Sequence, residues 1–500
     1  MSVIRKLAGH TAIYGLSSIA ARMLYFFLTP LYTNSSLISQ ADYGVVTSIF
    51  AAMAMFVVFF TYRMEMAYFR YGSAPLDQDR SFHTSMSSLL ISTVILSILL
   101  IPLVPGFAEL AHYPELSHLL VMAVLILGVD ALSEIPMARL RIQGKALKFA
   151  AVQGGSILVN LGLNLFFLVG CPAILAQSGT SELAVLIKQV YNPEIGIGYI
   201  FIANLVASVF KFIVLWPSWR DLKFRIDASH WKKMFSYSGP LVLVGIAFSI
   251  NETIDRNLLP ILGSGSEDEN LRQLGIYGAN YKLAMIISLF TQAFRYGAEP
   301  FFFQQKDRLD SKVLYARVAK YFFLAGTLGF LGIMCYLRLV RYFIGPAYWE
   351  GLHVVPVLLL ANLFLGLYYN FSVWFKLSEK TMWGALISGG GALLTIALNI
   401  WWIPLYGYTG CAVATLLCYL CISAASYLLG QRYNPIPYPI LTMSKYLLLA
   451  IAFAVVSSLL PGMPLLMDLA VNTGLVGIWI VIVWSREREE IMGILRPEQG

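Results

Sequence analysis

Long apolar runs alternate with short polar segments over nearly the whole chain. A helix that crosses a lipid bilayer needs about 20 predominantly apolar residues. The pattern therefore predicts an all-α polytopic membrane protein with about 14 transmembrane helices. They are numbered here as spans 1 to 14, over residues 9–33, 44–62, 84–105, 117–137, 148–170, 196–216, 237–261, 275–296, 316–337, 352–372, 383–403, 408–429, 441–460 and 465–484.

The first twelve spans consist of one set of six that occurs twice, at an offset of 234 or 235 residues. Because six is even, both copies enter the membrane from the same side and form parallel repeats. The repeat predicts an N-lobe over residues 1–220, a C-lobe over 221–432, and an extra helix pair with a cytoplasmic tail over 433–500. Matched positions are Arg141 with Lys376, Gly154-Gly155 with Gly389-Gly390, Asn164 with Asn399, Arg22 with Arg256, and Tyr43-Gly44 with Tyr277-Gly278.

The placement of Lys and Arg gives an independent test of this topology. With both termini in the cytoplasm, 27 of the 35 basic residues fall in or at the border of the inside segments, and only five fall outside. Cytoplasmic loops of membrane proteins carry an excess of Lys and Arg. Removing or adding one span would destroy this bias, so the charges favour fourteen spans.

Composition excludes several classes of protein. Hydrophobic residues make up 58% of the chain and charged residues 12%, against about 45–50% and about 25% in soluble domains. The net charge of +8 does not indicate nucleic acid binding, because the basic residues lie in short loops between apolar runs.

The longest outside loop, 171–195, has no room for a catalytic domain. No nucleotide-binding or nucleophile motif occurs, so we expect no enzyme activity, no ATP hydrolysis and no cofactor. The tail Arg486–Glu490 is expected to be a solvated helix end.

Basic side chains inside the spans are candidates for binding an anionic substrate. Each costs roughly 2.5–3.5 kcal/mol at the centre of a span unless it faces water, a partner or an anionic ligand. Arg22 lies midway along span 1 and Lys282 lies in span 8, and for both we favour a cavity over a structural ion pair. Arg256 in span 7 either joins this cationic cavity or pairs with Glu252, four residues earlier. Lys211, near the inner end of span 6, is expected to snorkel to the surface.

Acidic side chains inside the spans are candidates for ion coupling. Asp130 and Glu134 share a face of span 4. They either bind a coupling cation or proton, or neutralise an Arg on a neighbouring helix. Glu252 and Asp255 in span 7 complete the candidate set. No cysteine or histidine spacing indicates a metal site.

Small and amide residues are expected to have structural roles. Asn160, Asn164 and Asn399 lie within spans, where amides usually form hydrogen bonds between helices. Glycines at 154–155 and 389–391 are expected to let helices pack closely.

Short motifs follow one another along almost the whole chain. They are Ala41-Asp-Tyr-Gly-Val-Val46, Ile254-Asp-Arg-Asn-Leu258, Gly275-Ile-Tyr-Gly-Ala279, Ala298-Glu-Pro300, Asn399-Ile-Trp-Trp-Ile-Pro404 and Gly407-Tyr-Thr-Gly-Cys-Ala412. Their order and spacing resemble those of polysaccharide-biosynthesis flippases in the multidrug/oligosaccharidyl-lipid/polysaccharide exporter superfamily, in the branch that handles O-antigen (lipid-linked oligosaccharide). The chain departs from many members at the end of span 2, where it has Tyr62-Arg-Met-Glu-Met66 in place of a plain apolar end.

The resemblance implies two six-helix lobes that form a V around a central cavity, in the bacterial cytoplasmic (inner) membrane. The implied substrate is an undecaprenyl-diphosphate-linked oligosaccharide, moved from the inner to the outer leaflet for O-antigen, capsule or exopolysaccharide synthesis. A H⁺ or Na⁺ gradient would drive the transport, and glycan polymerase machinery would be a partner. The resemblance also implies that spans 13 and 14 form a groove for the lipid tail.

Three other functions remain as alternatives. A lipid II flippase would use the same chemistry on a cell-wall precursor. A cation-coupled multidrug antiporter of the same superfamily usually has twelve helices and acidic cavity residues, which fits fourteen spans and buried basic residues less well. A membrane glycosyl polymerase or ligase would normally need a large outside loop, which this chain lacks.

Overall fold

A computed structural model describes residue 23 and residues 26–74, 76–177, 182–305, 309–378, 380–460 and 462–495. Most of span 1, including Arg22, lies outside these described residues, and the helix Thr29–Tyr32 belongs to its last part. Within the described part of the chain every one of spans 2 to 14 is helical and no strand occurs. The predicted all-α membrane fold is therefore confirmed.

The long helices coincide with the predicted spans, and those of spans 7, 8 and 14 extend well beyond the predicted bounds. Among the described residues, ten helical segments are long and apolar enough to cross a membrane, and the helix of span 6 is apolar but shorter. The helices of spans 2 to 14 are Gln40–Thr61, Gln78–Leu100, Ser117–Ile142, Ala146–Leu165, Gly198–Val214, Ala228–Leu262, Glu267–Gln304, Ser311–Cys335, Val355–Phe371, Thr381–Tyr433 (spans 11 and 12 together), Ile440–Ser458 and Leu465–Leu495. Shorter helices are Met64–Gly72, Val104–Leu110, Cys171–Gln177, Glu182–Val190, Trp216–Arg220, Leu337–Val340 and Val373–Leu377, and 3₁₀ or π turns are Ile101–Leu103, Pro114–Leu116, Phe166–Gly170, Pro193–Ile195, Arg341–Phe343 and Pro346–Val354.

Local sequence explains where several of these helices begin and bend. Span 2 begins after Ser39, whose side chain accepts a hydrogen bond from the Asp42 backbone N–H. Span 7 begins in the same way after Asp227, because an N-terminal side-chain oxygen satisfies an otherwise unpaired N–H. Spans 11 and 12 form one helical run with a bend at Gly407, where φ is 54° and ψ is −137°. Glycine adopts this left-handed conformation without the steric penalty of a side chain.

The chain folds into two compact units. The first comprises residues up to Ala279 together with Ser388–Ala414, and the second comprises Asn280–Ile387 together with residues from Thr415 onward. The lobe boundaries at residues 220 and 432, drawn from the sequence repeat, stay a prediction.

The first unit contains a crossing of spans 2 and 8 at backbone contact distance. A Cβ atom added to Gly44 would lie 1.9 Å from the carbonyl oxygen of Leu271, and one added to Gly275 would lie 2.0 Å from that of Gln40. Neither backbone oxygen can move aside as a flexible side chain could. The two glycines in the Tyr-Gly motifs therefore allow the helices to touch.

The glycine pairs singled out from the sequence have a smaller role. Gly155 packs against the ring of Phe210, 2.9 Å from the position of an added Cβ. No described atom lies within 4 Å of an added Cβ on Gly154, Gly389 or Gly390. The expectation of close packing is wrong at these three positions, because periodicity alone does not show which helix face meets a neighbour.

The second unit holds the extra helix pair. Buried side chains of span 13 pack against spans 9 and 10 in one hydrophobic cluster. Span 14 is attached to span 9 by the ion pair between Lys320 and Glu487, and to the short helix Leu337–Val340 that follows span 9 by the ion pair between Arg338 and Asp468. The expectation that Arg486–Glu490 is a solvated helix end is therefore wrong for Glu487, which is only 7% exposed.

Candidate functional site

The predicted basic residues can be located as follows. Arg22 lies outside the described residues. Arg256, in the first unit, and Lys282, in the second, are both half-buried within helices of predicted spans. Their position within an apolar span is the property that suggested these residues as candidates. Their role in binding substrate stays a prediction.

Asp255 is the centre of a buried polar cluster in the first unit. The Tyr277 hydroxyl donates a hydrogen bond of 2.6 Å to Oδ2 of Asp255, and the Arg256 backbone N–H donates one of 2.9 Å to Oδ1. The guanidinium of Arg256 lies close enough to Tyr43 and Cys411 to act on both electrostatically. Spans 2, 7, 8 and 12 thus contribute to one cluster, and Tyr43 and Tyr277 are the repeat-matched tyrosines.

Glu252 is half-buried one turn before Arg256. Among the described contacts the two side chains form no ion pair within 4 Å, so the local pair considered from the sequence is not seen. The use of Glu252 and Asp255 in ion coupling stays a prediction.

Amide side chains form hydrogen bonds between spans in the first unit. Asn251 in span 7 donates to the Ser388 carbonyl at 3.0 Å and accepts from Thr395 in span 11 at 3.3 Å. The Tyr32 hydroxyl donates a 2.9 Å hydrogen bond to Asn164 in span 5. Because an unpaired amide in lipid is costly, these bonds define how the helices are paired.

Asp130 forms an ion pair across two spans. Its Oδ1 lies 2.6 Å from Nζ of Lys211 in span 6. Lys211 therefore neutralises Asp130. One of the two alternatives considered from the sequence was an ion pair with an Arg of a neighbouring helix, and the partner is instead a Lys. The Lys211 side chain was expected to extend to the membrane surface. Its ammonium group instead lies against Asp130.

Glu134 belongs to a wider group of charges one turn further along span 4. It is half-buried and interacts electrostatically with Lys211, Asp130, Arg141 and Arg63. Glu65 acts on Glu134 from the short helix Met64–Gly72. We call these six residues the charge cluster: Arg63, Glu65, Asp130, Glu134, Arg141 and Lys211.

Sequence reasoning did not select Glu65, although two signals pointed to it. It lies in the segment Tyr62–Met66, where the chain departs from the resembling family. At the 234-residue offset that matches Tyr43-Gly44 with Tyr277-Gly278, Glu65 also falls on Glu299. A carboxylate that occurs at the same place in both repeats indicates a constraint beyond apolar packing.

Arg295 is a second residue that sequence reasoning missed. It lies near the end of span 8, where it was counted only as a topology signal. The guanidinium carbon lies 3.8 Å from the centroid of the Tyr369 ring, in the second unit. Arg295 and Lys376 line the same small cavity, whose other lining residues are mostly apolar.

The long apolar helices, with cations and carboxylates inside the spans, define the class of protein as a polytopic helical membrane protein. Residues 7–304 match the sequence model of the family described as "Polysaccharide biosynthesis protein". The match covers more than half of the chain, so the chain belongs to this family. Comparison with curated protein sequences gave no match.

Solved structures show the same fold. A "Lipid II flippase MurJ, inward closed conformation" is 14% identical with a TM-score of 0.68, over 94% of this chain and 98% of that chain. An inward-facing "multidrug resistance MATE family transporter of the MOP superfamily" is 12% identical with a TM-score of 0.61, over 89% and 99%. An outward-facing conformation of a transporter described in the same words is 13% identical with a TM-score of 0.54, over 88% and 96%. These likenesses confirm the fold of the predicted superfamily.

Proposed function

We propose that this protein moves an undecaprenyl-diphosphate-linked oligosaccharide from the inner to the outer leaflet of the bacterial cytoplasmic membrane. It does so by alternating access, and the product feeds the synthesis of O-antigen, capsule or exopolysaccharide. The observation that carries the proposal is the presence of half-buried cations, Arg256 and Lys282, inside the spans of a polysaccharide-biosynthesis family member.

The chemistry of the substrate explains why such cations are needed. The polyprenyl tail can stay in the lipid, but the diphosphate must cross an apolar barrier. An arginine fork donates two parallel hydrogen bonds to phosphate oxygens, and a lysine adds a compact positive charge. In this proposal Arg22, Arg256 and Lys282 offset the diphosphate charge during the crossing. Two repeats that rock against each other would expose these cations to one side at a time.

A H⁺ or Na⁺ gradient is the proposed source of energy. The chain has no nucleotide-binding motif, so a carboxylate that exchanges an ion is the simplest coupling device. Asp130, Glu134, Glu252 and Asp255 are the candidate residues, and glycan polymerase machinery is the proposed partner on the outer side.

A lipid II flippase is the second candidate function, because the MurJ structure resembles this chain over 94% of its length. Lipid II has the same carrier and diphosphate but a different head group. The family match favours a polysaccharide precursor. A multidrug antiporter, suggested by the MATE likenesses, would not need a lipid-tail groove from spans 13 and 14.

The full-length protein in liposomes tests the proposal. Fluorescent undecaprenyl-diphosphate oligosaccharide, lipid II and a cationic dye are each added, and exposure of the head group or the dye on the far side is followed over time. We expect protein-dependent movement of the oligosaccharide lipid, reduced at least tenfold in Arg256→Ala and Lys282→Ala. Lys223→Ala, which removes an exposed loop cation, is the matched control. Preference for lipid II or for the dye would overturn the proposal, as would wild-type rates in both Arg256→Ala and Lys282→Ala.

A further inference from the structure

Glu65 is an unusual residue because a carboxylate oxygen is buried without a hydrogen bond. The residue is only 9% exposed, and its Oε2 has no hydrogen-bond partner among the described residues. Its nearest cation, Nη1 of Arg63, lies 3.8 Å from Oε1, which is too far for a hydrogen bond. A hydrogen bond from the backbone N–H of Glu65 itself replaces only part of the hydration that an ionised carboxylate loses in such a place.

A second carboxylate acts on Glu65 from span 4. Glu134 raises the energy of an ionised Glu65, whereas Arg63 and Arg141 lower it. When two carboxylates share a site, they do not both ionise readily, and one proton is retained at a pH where isolated carboxyl groups would have lost it. The unpaired oxygen of Glu65 is the atom that such a proton would occupy.

We propose that Glu65 and Glu134 form a proton-binding site at the end of span 2, which takes up and releases one proton at the buried, unpaired Oε2 of Glu65. The proton comes from a hydronium ion of the solvent: one O–H bond of hydronium breaks, one O–H bond forms at Oε2 of Glu65, and a water molecule is released, so that one carboxylate is neutralised. The role of this site in driving transport rests on the proposed function, but the binding of the proton does not.

The electrostatics of Glu65 support this assignment. Glu65 lies in the helix Met64–Gly72, outside the spanning segments. Burial raises the pKa of Glu65 to about 7, and the Glu134 carboxylate adds to that rise, whereas a hydrogen bond from the Glu65 backbone and the cations Arg63 and Arg141 oppose it. Because the pKa is raised, the protonated form is favoured below about pH 7 and the ionised form above it.

The backbone beside Glu65 gives the proton a mechanical consequence. Tyr62 and Arg63 have left-handed backbone angles, with φ of 33° and 55°, and they separate span 2 from the helix that carries Glu65. The Arg63 guanidinium fills the space over Gly245 of span 7, 2.9 Å from the position of an added Cβ. Protonation of Glu65 removes the charge nearest to Arg63. It therefore alters a cation that packs span 2 against span 7.

Infrared titration of the full-length protein in lipid nanodiscs tests proton binding without any transport assay. We expect one protonated-carboxyl band that disappears with a midpoint near pH 7 and is absent in Glu65→Gln. In Glu134→Gln the midpoint moves to lower pH, because a like charge is gone, and in Arg63→Gln it moves to higher pH. Glu109→Gln, which changes an exposed carboxylate, leaves the band unchanged. If Glu65→Gln does not fold, Glu65→Asp must keep a band with an altered midpoint.

A midpoint in the ordinary carboxylate range, about pH 4, would overturn the site, and so would a band that survives in Glu65→Gln. Transport in liposomes then tests coupling separately. Wild-type translocation should change several-fold between about pH 6 and about pH 8, whereas Glu65→Gln should be insensitive to pH. A titrating band in a protein that moves no oligosaccharide lipid would overturn the proposed function and leave the proton site standing.

Discussion

Nζ of Lys320 lies 2.7 Å from Oε2 of Glu487, and both residues are more than nine-tenths buried. The Tyr446 hydroxyl donates a 2.9 Å hydrogen bond to the other oxygen of the same carboxylate, and Lys320 also pairs with Glu490. Spans 9, 13 and 14 thus meet at one charged centre within the second unit. The ion pair defines the register of the last helix against span 9.

Lys320→Ala is expected to destabilise the protein by about 3–5 kcal/mol, because it leaves Glu487 buried without its cation. Thermal unfolding in detergent measures the effect. The double variant Lys320→Met with Glu487→Met should recover most of the loss, since an apolar pair of similar volume needs no counter-charge. Arg488→Ala, at an exposed neighbour, should change stability by less than about 0.5 kcal/mol. A double variant as unstable as the single one would contradict this account.

Gly44→Ala is expected to destabilise the crossing of spans 2 and 8 by about 1–3 kcal/mol or more. The added methyl group would meet the Leu271 carbonyl oxygen at 1.9 Å, so a helix must shift. Yield of folded protein and its unfolding temperature report the change. Gly162→Ala, where no described atom lies within 4 Å of the added Cβ, is the matched control and should be neutral or stabilising, because alanine favours the helix.

The Asp130–Lys211 pair allows a structural role to be separated from ion coupling. Lys211→Met should reduce stability, because it leaves the Asp130 carboxylate without its partner at 2.6 Å. Adding Asp130→Asn should restore much of that stability. If Asp130 couples transport to an ion, the restored double variant will have lost the dependence of translocation on H⁺ or Na⁺. Retained ion dependence would assign Asp130 to structure alone.

Asp227 should stabilise the protein above about pH 4 and lose that effect in acid. Hydrogen bonds from the His230 backbone N–H, Ser229 and Arg80 hold the pKa of Asp227 well below its usual range. A lowered folded-state pKa adds stability above the unfolded-state value, about 3.9, and the stability is lost as the pH falls through the folded-state pKa.

Asp227→Ala should therefore lower the unfolding temperature by a constant amount from about pH 8 to about pH 5, and the difference should narrow below about pH 4. Asp227→Asn keeps an N-capping side chain but loses the charge that meets Arg80 at Nε, 2.9 Å away. It should fall between wild type and Asp227→Ala. An equal effect of both variants would show that the ion pair, and not the cap, carries the stability.

The sequence determined the elements and the topology class of this protein. Apolar runs of about 20 residues can satisfy their backbone hydrogen bonds in lipid only as helices, so composition and run length located spans 2 to 14, although the helices of spans 7, 8 and 14 extend well beyond the predicted bounds. The repeat and the ordered motifs were enough to identify the superfamily. Candidate charges such as Asp130 and Arg256 could be found in the same way, because a charged residue inside an apolar run is conspicuous.

Tertiary structure alone decided the partners of these charges. Lys211 and Asp130 are 81 residues apart, and Lys320 and Glu487 are 167 apart. Which pairs meet depends on the rotation and register of each helix, and these follow from packing over the whole bundle. For the same reason the sequence did not indicate that Glu65 is buried, because its burial depends on the left-handed bend at Tyr62 and Arg63. Glu487 was wrongly predicted to be exposed to water, because its neighbours in the sequence are polar. Hydrophobicity along a chain shows which segments enter the membrane, but side-chain packing in three dimensions selects the faces that meet.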